Sequence, residues 1–522
     1  MFGFKHMIPA ICVAAGTIVP AGAQIVSLPY YCNDNSAFLT DIVDSVRVTT
    51  AGISSHFGSG GFCNYSNGES EFSVGAYAKS VYRLNDRVIC YGLIDYNNLW
   101  QQKAAGSVFI NPEDKPFDIV EEADTNRGTT NLERFHLVGK VAYNNTPRFC
   151  FGAEIDYTAA NYAKRKDARH ANSLMDMNLG VGVKYNLPFV SLGAAYIYRR
   201  SNEGMKYSIC GTTDVVYYSI ISYGAFWGAR ELTCSEGFTD KNREIPLSDE
   251  YKGVDFQIDF SFWKLRIYNS AEWINRDGFY GKKSPYTISF ECHDGKTFEY
   301  QSVVDFKQSS VLRHLISLGY NKKELFAYRN IYKIVSNKNG STDVEYYDPL
   351  KISDKSITTL SAEYSLHWKG SSIERRMELS VGRTERVTNA FKYPFYRIQD
   401  INYNNLNALY SELYRVRRNE ISYSIGGGFG SGNGTPFFDG VYVQLTEGQN
   451  IPPSQTLLLL REYDFLCSRR FSAQLGAKYS VNIKSDNIKP YILVDYTYTR
   501  STNAIYCKRS RMVANCCIGL VF

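Results

Sequence analysis

Charged side chains alternate along one short segment of the sequence, residues 371–386. Glu374, Arg376 and Glu378 stand at every second position, whereas Arg375 falls among the mostly apolar residues between them. In an extended strand every second side chain points to the same side, so the first three charges share one face. Such a row on the wall of a water-filled channel tunes its ion preference, whereas in a filled interior the charges pair with neighbours. Arg375 indicates either a position near a membrane interface, where a guanidinium reaches water, or a shift in register.

A second group of charges is expected on the same interior surface. Glu154 and Asp156 alternate within residues 148–160, opposite Lys140 and Arg134 of the preceding predicted strand. Two further lysines lie on the polar faces of other predicted strands. The candidate lumen-lining residues are therefore Glu374, Arg376, Glu378, Glu154, Asp156, Lys140, Arg134, Lys184 and Lys478.

Catalytic motifs do not occur in recognisable form. The six histidines after residue 23 show no Ser/His/acid or metal-binding spacing, and the sequence has no glycine-rich phosphate loop, nucleophile elbow or C-x-x-C pair. We therefore expect no enzyme, no metal site and no cofactor. Cys210 and Cys234 share one long segment, and whether they form a disulfide is left open by the sequence.

The elements that would position these charges are predicted from a period of two. Residues 471–482, 359–368 and 178–185 each alternate apolar side chains with polar or small ones. This pattern predicts strands with one apolar and one polar face. A soluble antiparallel sandwich also alternates, but its strands usually have about 5–6 residues, and the polar faces here are rich in Gly, Ser and charge. The pattern therefore favours a membrane barrel.

Connections between the predicted strands alternate in length. Short turns are predicted near 85–86, 144–147, 186–188, 321–323, 368–371, 417–419 and 484–487, and long loops at 103–130, 201–250, 275–306 and 431–468. Outer-membrane barrels have short periplasmic turns and long extracellular loops. The predicted spans are 44–57, 70–84, 87–101, 131–143, 148–160, 173–185, 189–200, 251–261, 263–274, 307–320, 323–336, 355–368, 371–386, 403–416, 419–430, 469–482, 488–500 and 509–522.

The fold expected is thus all-β: a transmembrane, antiparallel, up-and-down β-barrel with long extracellular loops. It should have about 18 strands, within a range of roughly 14 to 18, because strand boundaries are the least certain feature of such a prediction. Residues 452–470, in the last long loop, are expected to form either a helix that folds into or caps the lumen, or a buried strand.

The C-terminal segment gives the most specific pattern. Its outward row consists of Met512, Ala514, Cys516, Ile518, Leu520 and Phe522. A terminal aromatic residue preceded by alternating apolar residues resembles the strand that barrel-assembly machinery recognises. Barrel-assembly machinery and outer-membrane lipids are therefore expected partners.

The N-terminus predicts export. Lys5 precedes an apolar run over residues 7–19, and Ala21 and Ala23 form a small-x-small cleavage site before Gln24. These are the three parts of a secretory signal peptide. The expected division is a signal peptide at 1–23, a short N-terminal periplasmic segment at 24–43 and an outer-membrane barrel at 44–522, located in the cell outer membrane.

Composition agrees with strands and excludes other classes. The 522 residues include 41 Tyr and 30 Phe but only 15 Pro, and the mean hydropathy is -0.29. Aromatic residues suit a pleated surface and Pro interrupts it, while membrane helices need about 20 mostly apolar residues each. The net charge of +6 is small for this length, so we expect no nucleic-acid partner.

Three features of the sequence stand together: tyrosine-rich strands, residues 166–172 leading into Leu179-Gly180-Val181-Gly182, and residues 489–492 with the terminal 519–522. In these the chain resembles the large uncharacterised outer-membrane β-barrel proteins of Bacteroidota. The resemblance implies the barrel fold and transfers no established activity. TonB-dependent transporters fit less well, because their plug domain is longer than the stretch 24–43 that precedes the first predicted strand.

Two roles are compatible with these patterns. One is a porin-like channel or an auxiliary barrel in nutrient transport, since a barrel of about 16 or more strands can enclose water. The other is a non-conducting anchor, assembly or binding scaffold whose outer loops hold a surface lipoprotein, a cargo or a glycan. A surface lipoprotein or a TonB-dependent transporter is accordingly a candidate partner.

Overall fold

The computed structural model describes residues 35–42, 48–104, 106–211, 214–235, 237–284, 287–336, 340, 342–483 and 488–522. Within these ranges it has one α-helix, α1 (Thr456–Cys467), and 3-10 turns at Ser36–Asp41, Pro112–Asp114 and Asp124–Asn126. The strands are β1 Val48–Ser59, β2 Ser70–Arg83, β3 Val88–Ala104, β4 Asp118–Glu121, β5 Gly128–Asn144, β6 Phe149–Lys164, β7 Arg169–Asn186, β8 Val190–Ser208, β9 Tyr218–Gly224, β10 Trp227–Leu232, β11 Ile245–Phe262, β12 Leu265–Ser284, β13 Thr287–Lys307, β14 Leu312–Ser336, β15 Thr342–Lys369, β16 Ile373–Lys392, β17 Phe395–Val416, β18 Asn419–Val441, β19 Arg470–Val481, β20 Lys489–Ser501 and β21 Ser510–Val521.

Eighteen of these strands form one closed antiparallel barrel, which confirms the predicted fold. β1 pairs with β2 on one side and with β21 on the other, so the wall has no free edge. The period of two separates the two faces: on β16, Met377, Leu379 and Val381 are exposed on the outside. Because the number of strands is even, the start of β1 and the end of β21 both lie at the end of the barrel that carries the short turns.

The predicted spans are wrong in one region. Residues 321–323 form no turn, because β14 runs unbroken through them, and the predicted loop 275–306 contains the end of β12 and most of β13. Here Lys322 pairs with Glu324, whereas Lys323 reaches the other way to Asp114. Both faces are polar at this height, so the alternation that predicts a strand is lost. The strand count survives because the missed β13 offsets the predicted division of β14.

The long loops fold back into the barrel. Strands β4, β9 and β10, from the β3–β5 and β8–β11 loops, form a small antiparallel sheet in the order β10-β9-β4. Its side chains join a buried apolar cluster with inward residues of eight neighbouring wall strands, β8 and β11 to β17. On β16 the outward apolar row ends at Val381, whereas the cluster contains Ala390. The apolar closure therefore lies beyond the membrane-facing belt, towards the long-loop end.

The described part of the predicted periplasmic segment also lies inside the barrel. Residues 35–42 pack against β3, β5, β6 and β7 near the short-turn end. Phe38 and Leu39 are fully buried there, which supplies the physical reason for their place in the interior.

The remaining expectations concern residues 452–470, the signal-cleavage site and the turn 484–487. Residues 456–467 form a helix, which decides between the two predictions for 452–470. The signal-cleavage residues Ala21, Ala23 and Gln24 and the predicted turn 484–487 lie outside the described residues. In the part of the chain that the structure describes, no helix is long and apolar enough to cross a membrane.

Candidate functional site

The outer closure of the lumen is an aromatic cluster. Phe117, from the β3–β5 loop, makes edge-to-face contacts with Phe109, Phe238 and Tyr280, with ring centroids 5.1–5.5 Å apart. The Tyr280 hydroxyl donates to the Phe238 carbonyl oxygen at 2.5 Å, so the one polar atom of this ring is satisfied. Since Tyr280 belongs to β12, the loops are anchored directly to the wall.

Below this cluster, the acidic turn Pro112–Asp114 crosses towards the opposite wall. Lys323 Nζ on β14 lies 3.1 Å from Asp114 Oδ1, and Lys355 Nζ on β15 donates to the Glu113 carbonyl oxygen. Arg276 Nη1 on β12 donates to the Asp114 carbonyl oxygen at 2.7 Å. The turn is therefore held by basic side chains from three strands.

The electrostatics of this loop differ between Asp114 and Asp118. The surrounding protein withdraws water from Asp114 and so favours protonation, but the charges of Lys323 and Lys355 outweigh this and keep its pKa well below the usual value. At Asp118, on β4, burial dominates and raises the pKa to about 7. Asp118 accepts hydrogen bonds from the Ser107 hydroxyl at 2.6 Å and the Tyr65 hydroxyl at 3.3 Å, both compatible with a protonated carboxyl.

Helix α1 completes the closure between β16 and the β20–β21 loop. Glu462 forms a buried ion pair with Arg386 of β16, with Oε2 and Nη2 2.7 Å apart. Asp464 accepts backbone N–H groups of the β20–β21 loop, at 2.7 Å from Ile505 and 3.2 Å from Cys507. The helix is thus tied to both the wall and a neighbouring loop.

At the short-turn end, three glycines make a seat for residues 35–38. A Cβ at Gly152, Gly182 or Gly193 would lie less than 3.0 Å from atoms of Ala37, Asn35 or Phe38, respectively. Real side chains are not found this close, so glycine at these wall positions lets the segment approach the wall. The seat spans β6, β7 and β8.

Polar contacts hold the segment in this seat. The Asn35 amide donates to the Val183 carbonyl oxygen at 3.0 Å and to Gln257 Oε1 at 2.9 Å. Asp41 pairs with Lys184, and Arg266 Nη2 lies 2.9 Å from Asp41 Oδ2. The segment therefore occupies the lumen by specific contacts and not by apolar burial alone.

The predicted lumen residues are brought together mainly as pairs. Lys140 Nζ lies 2.9 Å from Glu154 Oε2, Asp156 lies 2.8 Å from His136 Nε2, and Arg134 lies 2.9 Å from Asp95. Three further ion pairs join Lys184 to Asp41, Glu374 to Arg415 and Arg376 to Glu378. Lys478 instead lies over the ring of Tyr491. Whether they influence ions in transit stays a prediction.

Arg375 lies on the outer face. Its guanidinium is 5.4 Å from the centre of the Trp368 ring, and its Nε is 2.8 Å from Glu412. Three tyrosine hydroxyls also donate to Glu412, from Tyr410, Tyr414 and Tyr423. The register is therefore as predicted, and Arg375 sits in an outward polar cluster near the short-turn end.

In the C-terminal strand, Met512, Ile518, Leu520 and Phe522 are exposed on the outside, whereas Ala514 and Cys516 in the same row are partly covered. Cys210 and Cys234 are both free thiols. Among the described residues, no group of three or more His, Cys, Asp or Glu side chains is arranged to hold a metal ion.

Sequence reasoning missed the acidic turn, its basic partners and the glycine seat. The pattern Pro112-Glu113-Asp114-Lys115 was visible within the predicted loop 103–130. A charged tetrapeptide in a long loop is usually solvated, so nothing local assigned it to the lumen.

A sequence model described as a family of unknown function, DUF6850, matches residues 36–522. The chain belongs to this family. No curated protein matches its sequence.

Solved structures with a similar course of the chain include outer-membrane receptors and transporters. BauA, the ferric preacinetobactin receptor from Acinetobacter baumannii, has 10% identity and a TM-score of 0.41, covering 91% of this chain and 79% of that one. The outer membrane transporter YddB from Escherichia coli has 9% identity and a TM-score of 0.39, with 91% and 81% covered. The copper transporter OprC has 8% identity and a TM-score of 0.38, with 91% and 82% covered.

Proposed function

We propose that this DUF6850 member is an outer-membrane barrel of nutrient uptake whose lumen is closed at rest by its own segments. Transport then requires movement of the β3–β5 loop that carries the acidic turn. Export by the N-terminal signal, insertion by barrel-assembly machinery, absence of catalysis and an origin in Bacteroidota are parts of the proposal that rest on the sequence.

The observation that carries the proposal is the polar character of the interior below the apolar closure. The acidic turn meets the wall through Lys323, Lys355 and Arg276, not through packed apolar side chains. Asn407, on the inner face of β17 beside Ser380, is exposed. A barrel that served only as an anchor would not require a polar, accessible interior, because apolar residues in place of buried ion pairs are often equally or more stabilising.

The second candidate, a non-conducting binding scaffold, is favoured by one feature. The hairpin of β14 and β15 continues beyond the apolar belt and exposes Ile334, Tyr347 and Leu350. Exposed apolar residues of this size can mark an interaction site, and a surface lipoprotein would be the partner expected there.

Single-channel recording in planar bilayers separates the two. The test variant replaces residues 107–126 with a short Gly-Ser linker, which is feasible because Ala104 pairs with Gly128 across the loop. The matched control removes exposed residues 446–449 and leaves the closure in place. We expect the wild type and the control to stay closed and the shortened-loop variant to give stable conductance.

In the shortened-loop variant, Glu374→Gln with Glu378→Gln should shift the ion preference away from cations, because two wall carboxylates are neutralised. A folded, heat-modifiable shortened-loop barrel that never conducts would refute the transport role and favour the scaffold.

A further inference from the structure

Four basic side chains from four wall strands converge on the acidic turn. They are Arg276 on β12, Lys323 on β14, Lys355 on β15 and Arg386 on β16. Arg386 Nη1 lies 3.9 Å from Glu113 Oε1, in addition to the contacts of the other three described above. Residues this far apart in the sequence meet only because the barrel places their strands side by side.

Two of these four depend on the turn for their contacts. Arg276 is also paired with Asp249, with 2.7 Å between Nε and Oδ1, and Arg386 with Glu462. Lys323 and Lys355 instead direct their ammonium groups to Asp114 and Glu113. Withdrawing the turn would leave two lysine charges facing the lumen, and uncompensated charges of this kind attract an anion.

The turn offers a particular set of acceptor atoms. The nearest contacts of the basic groups are with one carboxylate oxygen, of Asp114, and with two neutral carbonyl oxygens, of Glu113 and Asp114. The Glu113 carboxylate lies farther away, 3.9 Å from Arg386, which Glu462 already pairs. The side chains of Lys323 and Asp114 keep 39% and 35% of their surface exposed to the water-accessible space of the lumen. A carboxylate beside neutral oxygen atoms is the chemistry of a sugar acid.

We infer that this basic cluster is the substrate site of the lumen, that its ligand is a carboxylated sugar or polyhydroxy acid, and that the acidic turn occupies the site in the closed state. This inference rests on the proposed gated transport. The turn acts as a built-in competitor: it holds the cluster until the loop moves, and a bound sugar acid then disfavours its return.

Binding of glucuronate to the purified barrel in detergent tests the inference, with glucose and acetate as probes that lack the carboxylate or the hydroxyl groups. Titration calorimetry is run on the wild type, on the shortened-loop variant and on the full-length chain carrying Glu113→Gln with Asp114→Asn. The last variant keeps the loop, so a result remains available if the shortened loop impairs folding. Heat-modifiable migration reports folding for each.

We expect the shortened-loop variant to bind glucuronate about tenfold or more tighter than the wild type does. The same variant should bind glucuronate about tenfold or more tighter than it binds glucose or acetate. Adding Lys323→Ala should weaken binding by about tenfold or more, as expected for one hydrogen bond to a charged group. Lys322→Ala is the matched control, because Lys322 is the next residue on β14 and pairs with Glu324 on the other face. It should leave the affinity unchanged.

Equal binding of glucose or acetate, or equal losses for Lys322→Ala and Lys323→Ala, would overturn the inference. Its failure is distinguishable from failure of the proposed function. A shortened-loop barrel that conducts ions but does not bind glucuronate removes the site and keeps the gate. Binding without conductance removes the gate and keeps the site.

Discussion

Replacing Gly182 with alanine should release the N-terminal segment from the lumen while leaving the barrel wall intact. Alanine is compatible with the extended backbone of β7, but its Cβ would lie less than 3.0 Å from Asn35 Oδ1. The Asn35 side chain must therefore turn away from Gly182. This breaks the hydrogen bonds by which Asn35 holds residues 35–42 in the glycine seat.

The size of the effect follows from the bonds that Asn35 makes. Its amide donates to Val183 O at 3.0 Å, Ala194 O at 3.3 Å and Gln257 Oε1 at 2.9 Å, and Oδ1 accepts from Ala37 N at 3.1 Å. At about 0.5–1.5 kcal/mol for each net hydrogen bond, losing all four costs about 2–6 kcal/mol. That corresponds to a rise of about 30-fold to about 20,000-fold in the population of the undocked segment.

Hydrogen exchange followed by mass spectrometry measures this population directly. The peptide covering residues 35–42 should exchange slowly in the wild type and faster by the stated factor in Gly182→Ala, while peptides from β6 and β8 keep their protection. Gly382→Ala is the control, because its Cβ would lie 3.9 Å from the nearest atom, Leu360 O, an ordinary contact. Equal exchange of residues 35–42 in both variants would show that the seat does not hold the segment.

Two further perturbations test the outer closure. Arg386→Met should detach α1 and lower stability by about 3–5 kcal/mol, because Glu462 is left as a buried unpaired charge. Adding Glu462→Leu should recover most of this loss of stability in thermal melts. No recovery would contradict the pairing of Arg386 with Glu462. Asp118 has a pKa raised to about 7 by burial, above its ordinary value of 3.8, so the folded loop holds a proton that the unfolded loop has released between these values. The stability of the folded loop should therefore fall by roughly 2–3 kcal/mol between pH 5 and pH 7 and change little above pH 7. Hydrogen exchange in β4, corrected for the intrinsic rate, should show this fall in the wild type and not in Asp118→Asn; a persistent fall in the variant would assign it to another group.

The sequence predicts the wall well wherever the membrane imposes a pattern. The alternation predicts spans at 70–84 and 173–185, and the structure has β2 at Ser70–Arg83 and β7 at Arg169–Asn186. Beyond the apolar belt neither face is constrained by lipid, so the alternation fades and β13 is missed. The physical cause is the same for the upper part of β14.

The site was predictable only where partners are neighbours in the ladder. Lys140 and Glu154 stand directly opposite each other on β5 and β6, so their pairing follows from the turn between them. The contact between Asp114 and Lys323 joins residues more than 200 positions apart. No local pattern encodes it, since it depends on which strand closes next to which and on a loop returning into the barrel.

The unequal strand lengths have a consequence for how the surface is encountered. β15 has 28 residues and β21 has 12, although both end at the same row of short turns. At about 3.3 Å per residue and a tilt of about 40°, the extra 16 residues raise one side of the rim roughly 40 Å above the other. A large body such as an antibody or a phage tail fibre would touch the tall β14–β15 hairpin first and be held away from the low side. Selection by such agents should then leave its record as sequence variation in that hairpin, while the sheltered β20–β21 loop changes more slowly.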